Sequence, residues 1–359
     1  MKKFLTTLCI TTLSVPCLAC TGITLHARDG ATVSARTIDW AQSDTNNIYT
    51  IVPRGHVSRS LLPDGTQNGM EFVAKYGFVG LGPERPEFIV DGTNEAGLNA
   101  GLFYFPEYGE YQKYDEVMRN TSVADLQIVS WILSNFATID EVQENINNIR
   151  VINIYPNSST AHWRITEPSG RVVVMEFING TPTFHEDEIG VIANSRTCDW
   201  QHTNLNNYVN LKPGTADPSK LGPDTLKSFS GGTGLLGLPG DFSSPSRFVR
   251  AAFLGNMVNQ QQNAESTIPI AFHILNNLDV PFGTTYTGRA PTNMPSGTQW
   301  TIASDLANKV LYYHTMYNRT IRKIDFANIN FETVPFQFAP LDDVKRETMI
   351  PVQIKITQE

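Results

Sequence analysis

Residues 16–25 read Pro16-Cys17-Leu18-Ala19-Cys20-Thr21-Gly22-Ile23-Thr24-Leu25, and the change of character at Cys20 decides how the rest of the chain is read. Upstream, Lys2 and Lys3 precede an apolar run from Phe4 to Val15, and small residues stand three before and one before Cys20. This is the layout of a signal peptide, and its apolar part is too short for a spanning helix. An N-terminal helix of the fold is the competing reading, and the three regions in order argue against it. Downstream, β-branched residues alternate in Ile23-Thr24-Leu25 and again in Thr32-Val33-Ser34-Ala35-Arg36, broken by the Asp29-Gly30 turn. The expectation is that loss of residues 1–19 exposes Cys20 as the first residue of the mature chain. A chain that begins in a strand holds its terminal amine and first side chain rigidly.

The bulk numbers agree with a folded, exported protein. Of 359 residues 41% are hydrophobic and 17% charged, with Gly and Pro spread throughout. No linker, charge block or repeat offers a boundary, so residues 20–359 read as one compact domain. The formal charge of −8 becomes −10 without Lys2 and Lys3, 25 basic against 35 acidic side chains. That balance argues against nucleic acid or an anionic membrane as partner. No second long apolar stretch follows the leader. Cys9 and Cys17 leave with it, so Cys20 and Cys198 remain, and a disulfide between them is a rival to a free Cys20. The sequence has no CxxC or HExxH, and its seven histidines are scattered, so neither a metal nor a cofactor is expected.

Further strands are predicted at Phe72–Leu81, Phe88–Asp91, Leu98–Phe105, Ala161–Thr166, Val172–Phe177, Gly190–Ala193, Gln299–Ser304 and Lys309–Thr315. Helical spacing runs from Ser122 to Phe136 and from Ile139 to Ile149, the latter with Thr138 as N-cap. Two more helices are predicted at Pro245–Val258 and Ile268–Leu278. Strands, helices, strands, helices and strands again describe a layered α+β fold rather than a βαβ repeat. Gly232-x-Gly234-x-x-Gly237 matches a dinucleotide fingerprint, but Pro239-Gly240 follows where a helix should open, so it is read as a Gly-rich loop.

No GxSxG elbow is present, and no histidine is marked by its neighbours as partner to a Ser or Cys. A mature N-terminal Cys removes that need. Its own α-amine, with a reference pKa near ~8, can take the thiol proton and later protonate a leaving group.

Several motifs occur in order: Cys20-Thr21-Gly22, Arg36-x-x-Asp39-Trp40, Asn94-Glu95-x-Gly97-Leu98 leading into Phe105-Pro106, and Asn194 ahead of Asn204-Leu205-x-x-Tyr208. Gly237-Leu238-Pro239-Gly240-Asp241 then runs into Ser244-Pro245-Ser246-Arg247-Phe248-Val249-Arg250. Over about Cys20 to Thr315 the chain resembles the choloylglycine hydrolase family, N-terminal nucleophile hydrolases that include bile salt hydrolases and penicillin V acylases. The resemblance implies a four-layer αββα sandwich and hydrolysis of a linear amide bond in a small molecule with an apolar acyl group. It also implies a homo-oligomer, a tetramer.

Carried onto this sequence, the resemblance makes Cys20 the nucleophile, with Arg36 and Asp39 as its neighbours. An Arg near a thiol favours thiolate, and an Asp near the amine can orient it. An i,i+3 surface ion pair is the plainer reading of those two, and in a strand they face opposite ways unless the chain turns after Arg36. Asn194 matches the side-chain donor of the oxyanion hole and Arg247 an arginine near the nucleophile. The second oxyanion donor falls at Tyr104, where bile salt hydrolases commonly have Asn and penicillin V acylases Tyr. A backbone N–H there would serve with any non-Pro residue. Tyr108, Phe103, Phe105 and Trp200 are read as possible acyl-pocket residues, although aromatic residues are more often core. Three functions therefore stay open: bile salt deconjugation, hydrolysis of penicillin V or another N-acyl compound, and a non-catalytic binding protein lipidated at Cys20. The last rests on the partial lipobox Cys17-Leu18-Ala19-Cys20.

Overall fold

The computed structural model describes residues 19–42, 44–155, 159–285 and 294–354. The proposed leader lies outside the described residues, except for the backbone of Ala19.

The hairpin expected at Asp29-Gly30 forms β1 (Ala19–His26) and β2 (Thr32–Gln42). Gly30 turns it at φ +90°, a left-handed conformation that suits glycine. The next strands are β3 (Ile48–Val52), β4 (Phe78–Gly82), β5 (Asp91–Asn94), β6 (Asn99–Tyr104), β7 (Ala161–Thr166), β8 (Val172–Ile178), β9 (Thr181–Glu186) and β10 (Val191–Ile192). The chain ends through β11 (Met294–Asp305), β12 (Val310–Thr315), β13 (Arg322–Asp325) and β14 (Gln337–Pro340). They assemble into a six-stranded antiparallel sheet in the order β10-β1-β2-β11-β12-β13 and an eight-stranded antiparallel sheet in the order β9-β8-β7-β6-β5-β4-β3-β14.

Helices cover the outer face of each sheet. On the larger sheet sit α1 (Ile128–Asn135) and α2 (Ile139–Asn145), where Val129, Ile132, Leu133, Ile139 and Val142 pack with Trp163 and Val173. Thr138 caps α2 as expected, in a capping box with Glu141. After α3 (Cys198–Asn204), α4 (Ser244–Met257) and α5 (Ala264–Asn276) cover the smaller sheet, burying Phe248, Ala271, Phe272 and Leu275 against Ile23, Val33 and Ala35. Between the sheets lies a third apolar layer of Ile51, Val79, Leu81, Trp300, Ile302 and Leu311. The result is an αββα sandwich. Each such side chain stabilises the fold by about 1.5–3 kcal/mol relative to exposure, before the ordering entropy that opposes it.

The sheets are also tied by buried cations. Arg164 donates to the carbonyls of Ile23 and Ala35 and to Ser34 Oγ, and Arg36 to the carbonyls of Val90 and Leu102. Gly22 lets this happen close to Cys20, because a Cβ there would lie 2.6 Å from Arg164 Nη1 and 2.8 Å from Phe103.

Four expectations need correction. The strand read at Phe72–Leu81 is two strands, Glu71–Val73 and Phe78–Gly82, which lie in different sheets. The strand read at Phe88–Asp91 lies at Asp91–Asn94 instead, because the apolar run Phe88-Ile89-Val90 lines a cavity. The helix read from Ser122 begins only at Ile128, since Ser122–Ala124 pairs in parallel with Arg150–Ile152. No turn interrupts the chain after Arg36, for β2 continues through Asp39 to Gln42. The Gly-rich stretch at 232–237 is a loop with one 3-10 turn, Thr233–Leu235.

Candidate active site

Strand register brings the site together. In the β1–β2 ladder Cys20 faces Ile38, and Ala19 faces Asp39. The alternation of β2 then sends Arg36 and Ile38 into the space between the sheets and Asp39 toward the helical layer. Cys20 is 4% exposed and lies with Phe103, Val174, Ile192 and Cys198. Both thiols are unpaired, and burial pushes the Cys198 thiol well up, which leaves that side chain a small apolar filler.

Asn194, two residues beyond the end of β10, is the hub around the Cys20 backbone. Its Oδ1 accepts the Cys20 N–H at 2.6 Å and Arg247 Nη2 at 2.8 Å, and its Nδ2 donates to the Tyr104 carbonyl at 2.9 Å. Ser244, the first residue of α4, accepts the Asn194 N–H at 3.0 Å. Arg247, in the first turn of α4, is 1% exposed and also donates through Nη1 to the Cys20 carbonyl and to Thr21 Oγ1. Its position at a helix N-terminus, where a cation is disfavoured by the dipole, is offset by these three acceptors and by the Phe242 carbonyl taking Nε.

Tyr104 ends β6. The Phe105 N–H bonds to the Thr160 carbonyl, so ladder alternation turns the Tyr104 backbone away from that neighbour and toward Asn194. Its hydroxyl donates to Ser159 Oγ at 2.7 Å. Asp39 is fully buried, and Thr298 Oγ1 donates to its Oδ1. Burial raises its carboxyl to about 7, against the opposing pull of Arg247, the Thr298 hydroxyl and Arg36. Its Oδ2 is buried with no hydrogen-bond partner among the described residues.

Five of the six residues singled out from sequence therefore meet here: Cys20, Asp39, Tyr104, Asn194 and Arg247. Arg36 is placed differently. Its guanidinium stacks 3.9 Å from the Phe103 ring centroid and bonds to backbone carbonyls, so it ties the sheets under the site without a hydrogen bond to Cys20.

A cavity of about 210 Å³ opens at Cys20, walled mainly by Ile38, Pro83, Phe88, Ile89, Val90, Leu102 and Leu126. Phe103 and Phe105 are core residues instead, and Tyr108 and Trp200 flank the Arg196 guanidinium. Among the described residues no group of three or more His, Cys, Asp or Glu could hold a metal ion, and no helix is long and apolar enough to cross a membrane.

The sequence model of the linear amide C–N hydrolases, choloylglycine hydrolase family, matches residues 20–338. The chain belongs to this family. It is 34% identical over 323 residues to a bile salt hydrolase/transferase of Clostridium perfringens, covering 87% of this chain and 94% of that one. It is 26% identical over 333 residues to a penicillin V acylase of Pectobacterium atrosepticum, covering 86% and 81%. The solved conjugated bile acid hydrolase from Clostridium perfringens superposes with a TM-score of 0.80 at 30% identity, covering 93% of this chain and 100% of that chain. The protein is thus a hydrolase of linear amide C–N bonds, and a non-catalytic binding protein does not fit that membership.

Sequence reasoning missed the groups that hold this choloylglycine hydrolase site in place. Ser244 lies inside a motif already quoted, and its neighbours were a usable signal. Thr298 gave none. Nor did Glu176 and His162, which grip both ends of the segment bearing Asn194: His162 Nε2 meets the Ala193 carbonyl at 2.9 Å, and Glu176 Oε1 accepts the Cys198 N–H at 2.9 Å. The two side chains face each other at 3.3 Å, both buried. Burial alone would raise the Glu176 carboxyl, but the histidines 162 and 185 and the Cys198 N–H more than offset it and bring it to about 2. A carboxylate with that many donors stays ionised and rigid.

Proposed function

We propose that this hydrolase deconjugates glycine- or taurine-linked bile salts outside the cytoplasm, with Cys20 as an N-terminal nucleophile freed by removal of residues 1–19. The observation that supports it most is a single one: Asn194, Arg247 and Asp39 gather around the backbone of a buried cysteine that opens onto an apolar cavity. A steroid acyl group suits such walls.

In this reading the Cys20 amine takes the thiol proton, and the sulfur attacks the amide carbonyl. Charge develops on the carbonyl oxygen, where the second hydrogen of Asn194 Nδ2 and the Tyr104 N–H receive it. The amine then protonates the departing glycine or taurine nitrogen, leaving a thioester. Water, deprotonated by the same amine, releases the acid and restores the thiol. Asp39 lies opposite Ala19, so an α-ammonium formed at Cys20 would find its unpartnered Oδ2 close by. Arg247, held on the Cys20 carbonyl and on Asn194 Oδ1, fixes the backbone that carries the nucleophile.

The second reading, cleavage of penicillin V or a related N-acyl compound, is favoured by Tyr104 at the position of the second donor. Glycine release from glycocholate, compared with side-chain acid release from penicillin V, separates the two. A clear preference for penicillin V would remove the bile salt reading. The same proposal includes a homo-oligomer, and Leu221, Leu226, Phe229 and Leu236 give it exposed apolar surface. A monomer by light scattering would count against that part.

A further inference from the structure

One wall residue of the cavity does not suit a purely apolar guest. Asp125 follows the short strand Ser122–Ala124 and lines the same cavity as Cys20, beside Leu126, Phe88, Ile89 and Leu102. It is 2% exposed. Its Oδ1 is fully used, accepting the Leu126 N–H at 2.9 Å and the Ile154 N–H at 3.4 Å. Apart from the Asp125 N–H itself, no further donor reaches the carboxylate among the described residues, so no other residue bonds its Oδ2. Unlike the unpartnered Oδ2 atoms of Asp39 and Asp91, it is not sealed inside the protein. An oxygen open to the cavity is bonded there by water, and a guest that displaces this water without replacing its bond loses affinity. The backbone donors fix the side chain, so the free oxygen is presented without further ordering.

We infer that Asp125 is a specificity-determining residue that hydrogen-bonds a hydroxyl on the acyl part of the substrate, within the cavity that opens at Cys20. Burial raises the Asp125 carboxyl to about 7, so near neutral pH both its protonated and ionised forms are present, one able to donate and both able to accept. The rest of the wall is apolar and cannot tell a hydroxylated from an unhydroxylated hydrocarbon frame, whereas a site built to bond a hydroxyl rejects the analogue lacking it. The chemical class is an apolar acyl group with a hydroxyl remote from the amide. This rests on the bile salt reading and names the feature of that substrate which the cavity reads.

The test is the ratio of kcat/KM for glycocholate to that for the glycine conjugate of the unhydroxylated cholanic acid. Asp125→Ser keeps a short oxygen for the Leu126 N–H but withdraws the second oxygen from the cavity. Asp125→Asn keeps both positions polar. We expect Asp125→Ser to lower the ratio about tenfold or more. Asp125→Asn should stay within about threefold of the wild-type ratio, since it keeps an oxygen for the Leu126 and Ile154 N–H groups and a polar group for the cavity. A ratio unchanged in Asp125→Ser overturns this assignment alone. Wild-type protein that releases glycine from neither conjugate overturns the bile salt reading beneath it.

Discussion

Replacing Asn194 by Ala removes three hydrogen bonds at once, to the Cys20 N–H, Arg247 Nη2 and the Tyr104 carbonyl. It also removes the one free hydrogen of Nδ2, which in this account meets the oxyanion. The two losses have different signatures. An oxyanion bond strengthens only as charge develops, so its loss should lower kcat by about 10²–10³, or roughly 3–4 kcal/mol, and change KM little. The structural bonds leave buried partners unsatisfied at a cost of about 1–3 kcal/mol each, less what relaxation recovers, and should lower Tm by several degrees. Asn194→Asp separates the effects, because it keeps an acceptor for Cys20 and Arg247 but loses the donor. Glycine release under saturating substrate, with calorimetry on the same samples, reads both quantities. We expect kcat to fall at least 10²-fold in both variants, with the smaller loss of Tm in Asn194→Asp. Either variant turning over within about threefold of wild type, while melting earlier, would show Asn194 to be a structural hub only.

Asp39 gives a pH dependence whose sign is fixed by its raised carboxyl. The folded state holds the proton more tightly than the unfolded chain, so this group's contribution declines as pH rises from about 4 through about 7. In the uncleaved protein, wild type should therefore lose stability relative to Asp39→Asn between pH 5 and 8, by an amount on the order of a few kcal/mol. The mature protein, with an ammonium opposite Asp39, should not show this, and identical pH slopes in both forms would contradict the pairing. Glu176→Gln should lower Tm by on the order of 10 °C, since breaking a buried pair costs about 3–5 kcal/mol, and should reduce kcat more than it raises KM. An unchanged Tm would show that the Glu176–His162 contact does not hold the Asn194 segment. Cys198→Ser should leave kcat within about twofold of wild type, and a mapped disulfide between Cys20 and Cys198 in active protein would defeat the account.

Patterning made much of the sandwich readable. The apolar–polar alternation at 161–166 and the Val-rich apolar run at 172–177 marked their strands, and the capping residues of Thr138-x-x-Glu141 marked a helix start. What failed did so for identifiable reasons. Phe88-Ile89-Val90 is apolar because it faces a cavity, and Ser122–Ala124 is strand because Arg150–Ile152, far along the chain, pairs with it. The helix Cys198–Asn204, CDWQHTN, has too few apolar residues to show a period, and β14 is mostly exposed. For the site, ordered motifs located Cys20, Asp39, Asn194 and Arg247, but not the direction in which each points. The opposite faces of Arg36 and Asp39 follow from strand alternation, yet only the β1–β2 register shows that Asp39 falls level with the bond before Cys20. Asp125, Glu176 and Thr298 lie outside every motif, and pairing alone brings them in.

The central claim is that Cys20, as the first residue of the mature chain, forms the covalent acyl intermediate. Its most direct test is acid quench of the enzyme during turnover of glycocholate, followed by mass spectrometry of the N-terminal peptide. The account predicts a peptide that begins at Cys20 and gains the mass of cholic acid less water, as an alkali-labile thioester. An active enzyme whose N-terminal peptide extends upstream of Cys20, or whose acyl group sits on another residue, would contradict it.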